Sequence, residues 1–239
     1  MIRNIIFDYG SVLIRTDCRR VYAGVFGSWE KATWFRNNIL TEEFMHRLDL
    51  GDDYGQCISD LQSKFPDYAD AIAMYDTRYL DFVAGEMPGM RKLLMHLRVY
   101  GYHLYGLSNY SHKIYDIEQR LKIFRNLEGQ IISSDIHITK PDPRIFKLLL
   151  AKYGLNAEES LFVDDRICNV EAARSLGFNA IVFPEVPFTQ EQIIKGLPED
   201  GGDAVPRTVV KGLSGAGGET VPKAVADFSQ VLKHRLELA

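Results

Sequence analysis

The chain has 239 residues, 46% of them hydrophobic, which suits one large domain or a domain carrying a smaller insertion. Its 28 Lys and Arg against 32 Asp and Glu leave a net charge of -4. No run of like charge stands out, so no nucleic-acid or membrane surface is indicated and a small-molecule partner is expected. Cys18, Cys57 and Cys168 are odd in number and form no CxxC pair, which argues against a disulfide framework or a cysteine zinc site and fits a reducing compartment.

The apolar run before Asp8 is too short for a signal peptide, and no stretch approaches membrane-spanning length, so the expected location is cytoplasmic. Ile5 to Phe7 reads as a first buried strand. From about Asp17 to Val83 strand-like runs disappear, while aromatics at helical spacing accumulate (Trp29, Trp34, Phe35, Phe44, Phe65, Tyr68, Tyr75, Tyr79). Residues 17–83 are therefore expected to form a helical cap inserted after the first strand, over the carboxyl edge of the sheet. A purely structural helical layer is the other reading.

Alternation then resumes, with a helix over Met90 to Leu97, strands over Leu104 to Leu107 and Gln130 to Ile132, and a helix over Pro143 to Tyr153. A strand over Leu161 to Val163, a helix over Val170 to Leu176 and a strand over Ala180 to Phe183 follow. This is the rhythm of an α/β fold with a doubly wound parallel sheet, its core made of residues 1–16 and 84–196. Residues 197–239 read as a Gly-rich linker and a C-terminal helix whose stripe (Val221, Ala224, Val225, Phe228, Val231, Leu232, Leu236) docks on the core or on a second copy. A monomer or a homodimer is compatible with that.

In such sheets ligands bind beyond the carboxyl ends of the strands, and four polar clusters are expected there. Asp8 ends the first strand and is followed by Gly10; an acid so placed serves either in turn formation or in chemistry. Ser108 and Asn109 follow the second strand, where they either cap a helix or help hold an anion. Lys140 precedes a turn stiffened by Pro141 and Pro143, where its charge can neutralise a phosphate and a carboxylate nucleophile. Asp164 and Asp165 are adjacent carboxylates, with Asn169 beyond them; their repulsion calls for a hard, oxygen-seeking cation.

In sequence order FDYGSVL, GLSN, TKPDPRIF and FVDDRICNVEAA closely resemble the motifs of the haloacid dehalogenase superfamily of hydrolases, over Ile2 to about Phe183. The resemblance implies a Rossmann-like core, a helical cap and Mg²⁺-dependent hydrolysis of a small phosphorylated metabolite, a sugar phosphate or similar ester. It implies that Asp8 attacks phosphorus, that Ser108 and Asn109 hold the phosphoryl oxygens, and that Lys140 balances charge. Mg²⁺ would be held by Asp8, the Gly10 carbonyl and Asp165, with Asp164 or Asn169 acting through water.

The chain departs from most phosphatases of that superfamily at Gly10, where they carry a second aspartate that protonates the leaving oxygen and later activates water. General acid/base catalysis typically contributes ~10²- to 10⁴-fold, so the loss requires a reactive leaving group, a substitute such as Tyr9, Ser11 or Asp17, or a weakened protein that mainly binds a phosphometabolite. Metal-independent 2-haloacid dehalogenases use the same aspartate on a carbon–halogen bond. Concentrating Asp8, Asp164 and Asp165 speaks against that chemistry, because only a cation offsets the three. His103, His112 and His137 lack a ligand spacing and are expected to be surface or satisfied residues.

Overall fold

A computed structural model describes residues 1–184, 228–230 and 232; the Gly-rich segment and most of the C-terminal stripe lie outside them. The chain runs β1 (Asn4–Phe7), β2 (Ile14–Thr16), α1 (Arg19–Phe26), α2 (Trp29–Asn38), α3 (Glu42–Asp49), α4 (Tyr54–Lys64), α5 (Ala69–Thr77), β3 (Val83–Glu86) and α6 (Met90–Val99). It continues with β4 (His103–Ser108), α7 (Ile114–Arg120), β5 (Gly129–Ile132), α8 (Ser133–Ile136), α9 (Pro143–Tyr153), β6 (Ser160–Asp164), α10 (Ile167–Ser175) and β7 (Asn179–Val182).

Among the described residues, five strands form a parallel sheet in the order β5-β4-β1-β6-β7, with β1 central. Buried on both faces, they are near-continuous in apolar residues, as parallel strands are. Successive side chains go to opposite sides. Ile5 and Phe7 join Met90, Leu94, Ile114, Phe228 and Leu232 on one face, while Ile6 joins Ile145, Phe146, Phe162 and Val170 on the other. Of the C-terminal stripe, Phe228 and Leu232 thus dock on this chain's own core, Phe228 with its ring centroid 4.7 Å from that of Phe183.

The predicted strands and core helices are present within a few residues, since apolar runs between polar edges have few other solutions. The switch from pattern to local chemistry is clear in α9, where Asp142 accepts from the Arg144 N–H at 2.8 Å, Pro143 supplies the first turn and left-handed Gly154 ends the helix.

Two short strands were not expected. β2 and β3 pair antiparallel and carry the chain out of the sheet and back. Three or four residues with two glycine or charged neighbours give no readable alternation. Between them α1–α5 pack around a separate cluster including Tyr22, Phe35, Phe44, Leu48, Tyr54, Ile72, Tyr75 and Phe82. Phe35 is buried there but Trp34 is 45% exposed, so the aromatic run serves packing on only part of its surface.

Candidate active site

Asp8 follows β1 immediately, and its N–H donates to the Val163 carbonyl at 2.9 Å, which locks the strand end against β6. The carboxyl is buried. Its Oδ1 accepts from Ser108 Oγ at 3.0 Å and lies 2.8 Å from Lys140 Nζ. Lys140, also buried, donates in addition to Asp164 Oδ2 at 2.7 Å and to the Leu107 carbonyl at 2.7 Å. A lysine ammonium has three protons to donate, and these three acceptors account for them.

Asp164 is equally committed. Its oxygens accept from the Arg166 N–H at 2.8 Å and from Asn169 Nδ2 at 3.0 and 3.1 Å, besides Lys140. Asp165 is the least buried of the three acids. Carboxylate oxygens of Asp8, Asp164 and Asp165 all lie within 4.8 Å of one another. Three carboxylates against one lysine leave an excess of negative charge in a pocket of low dielectric, a donor set of oxygens that fits a hard divalent cation.

The electrostatics follow. Burial pushes Asp8 up to about 7, against the pull of Lys140, and Asp164 adds to the rise. Burial likewise raises Asp165, reinforced by Asp164. Burial disfavours charge on Lys140, but Asp8 and Asp164 outweigh it and raise the pKa of the ammonium. Gly10 is held by a bridge to Ile14 whose bonds run from the Ile14 N–H to the Tyr9 carbonyl and from the Ser11 N–H to the Ile14 carbonyl. Its own carbonyl takes no part in those two bonds.

All four expected clusters meet at the carboxyl edge, with two differences in how they get there. Lys140 does not directly follow a strand: α8 and a short loop intervene after β5. It is drawn in because Asn109 clamps its backbone, Nδ2 donating to the Lys140 carbonyl at 2.9 Å and Oδ1 accepting from the Lys140 N–H at 2.7 Å. The helix after Ser108 and Asn109 begins only at Ile114, so neither residue caps it. His103 bonds Glu128 and His137 bonds the Leu50 carbonyl at 2.7 Å, in keeping with satisfied histidines.

A cavity of about 390 Å³ adjoins the Asp8 loop through Ser11, between the β2–β3 ribbon and the helical layer. Arg15, Arg19 and Arg36 line it with Asp17, and Arg19 Nε donates to Asp17 Oδ1 at 2.9 Å. Three guanidiniums against one carboxylate make it a positive chamber.

A doubly wound sheet with acids and a lysine gathered beyond its central strands defines an α/β enzyme with a carboxylate-based site. More particularly, the model of the haloacid dehalogenase-like hydrolases matches residues 2–177, and the chain belongs to that family. It is 34% identical to the glyceraldehyde 3-phosphate phosphatase of Pyrococcus abyssi over 118 residues, 48% of each chain. The chain thus spans about half the length of that relative. It is 25% identical over 205 residues to the D-ribitol-5-phosphate phosphatase of Bacteroides thetaiotaomicron, covering 74% of this chain and 90% of the other. A family enzyme of the same organism, solved with magnesium and inorganic phosphate, superposes with a TM-score of 0.60 at 20% identity over 80% of this chain and 98% of that one. The L-2-haloacid dehalogenase of Xanthobacter autotrophicus, with chloropropionic acid covalently bound, gives 0.55 at 18% identity over 80% of each.

Proposed function

We propose that the protein is a Mg²⁺-dependent phosphatase of small phosphorylated metabolites that works through an aspartyl-phosphate on Asp8. The observation that carries this reading is the environment of Asp8 Oδ1, held between Ser108 Oγ and Lys140 Nζ at the head of the central strand with two more carboxylates within reach. A carboxylate nucleophile divides one difficult displacement into two easier ones, and phosphoryl transfer depends mainly on positioning and charge neutralisation. The phosphatases among the relatives support the same chemistry.

Asp8, Asp165 and the Gly10 carbonyl would hold the cation, which supplies charge neutralisation and orientation of a phosphoryl oxygen when bound. Asp164, saturated by Lys140, Asn169 and the Arg166 N–H, anchors the lysine from behind. Lys140 favours the ionised form of Asp8 against the burial that opposes it, and offers its charge to the phosphoryl group as that group arrives. Ser108 hands its hydroxyl from Asp8 to a phosphoryl oxygen, while Asn109 holds the loop that carries Lys140. The positive chamber beside Ser11 suits a small, polar, anionic leaving group. Three carboxylates around one lysine would oppose a metal-free dehalogenase, whose substrate is itself a carboxylate.

The test is phosphate release from an aryl phosphate and from a panel of sugar phosphates, with and without Mg²⁺, for the native chain and Asp8→Asn. Release that needs Mg²⁺ and disappears in Asp8→Asn is expected. Chloride release from a 2-haloacid without metal would instead establish the dehalogenase.

A further inference from the structure

Gly10 leaves the site without an acid where one is needed, and a Cβ built at Gly10 meets nothing within 4 Å, so the place of the missing side chain is open space. Of the polar residues nearest in sequence, Tyr9 is fully buried with its hydroxyl on Gln130 Oε1. Asp17 is tied to Arg19. Ser11 carries an alcohol, whose proton is far too tightly held for acid catalysis near neutrality.

Another acid feels the charges of Asp8 and Lys140 from the helical layer. Asp49 is the last residue of α3, and the turn it opens is fastened to the core at three points. Ser133 Oγ donates to the Asp49 carbonyl, and His137 Nδ1 bonds the Leu50 carbonyl at 2.7 Å. Gly51, at φ +84, packs so closely that an added Cβ would lie 2.3 Å from the Ser134 carbonyl oxygen. Ser133 Oγ, which donates to the Asp49 carbonyl, also accepts the Tyr110 N–H at 3.0 Å, two residues past Ser108, so Asp49 lies beside the carboxyl end of β4.

The charged groups around it belong to the site: Asp8, Lys140 and Arg166. Among the described residues, Tyr54, Tyr75 and Tyr110 also feel its charge, and all three hold their protons well above the ordinary range because they are buried. Burial pushes Asp49 up to about 7, Asp8 adds to the rise, and Lys140 and Arg166 oppose it. A carboxylate in the last turn of a helix also faces the negative end of the macrodipole. An acid poised near neutrality among the charges of the site is what proton transfer requires.

Resting on the phosphatase reading, we infer that Asp49 is the general acid and base of this enzyme, supplied by the helical layer in place of the residue lost at Gly10. In the first step Asp8 forms a bond to phosphorus, the bond to the leaving oxygen breaks, and the Asp49 proton passes to that oxygen. In the second step the Asp49 carboxylate takes a proton from water as the water oxygen bonds phosphorus. The phosphorus–Asp8 bond then breaks, returning inorganic phosphate, ionised Asp8 and protonated Asp49.

The experiment compares single-turnover and steady-state rates of Asp49→Asn on 4-nitrophenyl phosphate and on an alkyl phosphate such as glycerol phosphate. Nitrophenolate leaves without a proton, so its first step should stay within about tenfold of the native rate. A burst of one equivalent should be followed by slow turnover, with phosphate trapped on Asp8. Alkyl phosphate should lose ~10²- to 10⁴-fold in the first step. Gly10→Asp placed in the Asp49→Asn chain should restore part of that loss, which a merely structural role for Asp49 would not allow. Equal loss on both substrates without a burst, or no loss on the alkyl phosphate, overturns the assignment. Native turnover abolished by Asp8→Asn establishes the underlying reaction independently, and no native turnover on any phosphate overturns both.

Discussion

At the edge of the sheet, polar side chains are tied to one another: Lys140 holds Asp8, Asp164 and the Leu107 carbonyl, and Asn109 holds Lys140 from its backbone. The helical layer is built differently. Its interior is a cluster of packed rings, with Tyr22 and Phe35 centroids 4.6 Å apart and Tyr75 and Phe82 5.6 Å apart. The Asp49–Gly51 turn is fastened to the core by polar contacts with Ser133 and His137. A network of charges over-determines its geometry, whereas aromatic packing tolerates change if volume is kept. The edge is thus specified residue by residue, and the layer is the more tolerant of substitution.

The largest effect that would sharpen this contrast is at the nucleophile. Asp8→Asn should lower kcat by at least about 10⁴-fold, read as phosphate release, with the circular dichroism spectrum unchanged. Lys140→Met tests the network as structure. It strips the cation from between two buried carboxylates, so without Mg²⁺ it should destabilise by about 3–5 kcal/mol in urea unfolding; a change under about 1 kcal/mol would deny that the network is over-determined.

Gly51→Ala probes the fastening. A side chain at φ +84 and 2.3 Å from a carbonyl oxygen should cost roughly 1–3 kcal/mol, read by thermal unfolding, and should change kcat and KM together because the turn carries Asp49.

The pH dependence of stability is a smaller effect. The folded-state pKa of Asp49 lies above its ordinary 3.8, at about 7, so the native chain binds this proton more tightly than the unfolded one. That contribution is complete below about pH 4 and is lost as pH rises through about 7. Asp49→Asn escapes the loss, so its Tm relative to the native chain should rise between about pH 5 and about pH 8; a flat difference would deny the shift. The smallest effect is expected at Trp34, 45% exposed on the outside of the layer, where Trp34→Ala should stay within about 0.5 kcal/mol by thermal unfolding unless that face meets a partner.

The amino-acid sequence by itself determined the strands of the parallel sheet, the helices α6, α9 and α10, and the acids at the ends of β1 and β6. Buried strands and amphipathic helices carry periodic signals, and a parallel sheet gathers its strand ends at one edge. Only the tertiary structure decided what reaches that edge from elsewhere. Asn109 as the clamp on Lys140 could not be read, because its two bonds span 31 residues. The β2–β3 ribbon is too short to show alternation. Asp49 had one local trace, an acid at the unfavourable end of a helix just before Leu50 and Gly51. That trace becomes chemistry only once Ser133 and His137 bring the turn down beside the end of β4, because proximity between distant segments is a property of the packed chain and leaves no periodic signal behind.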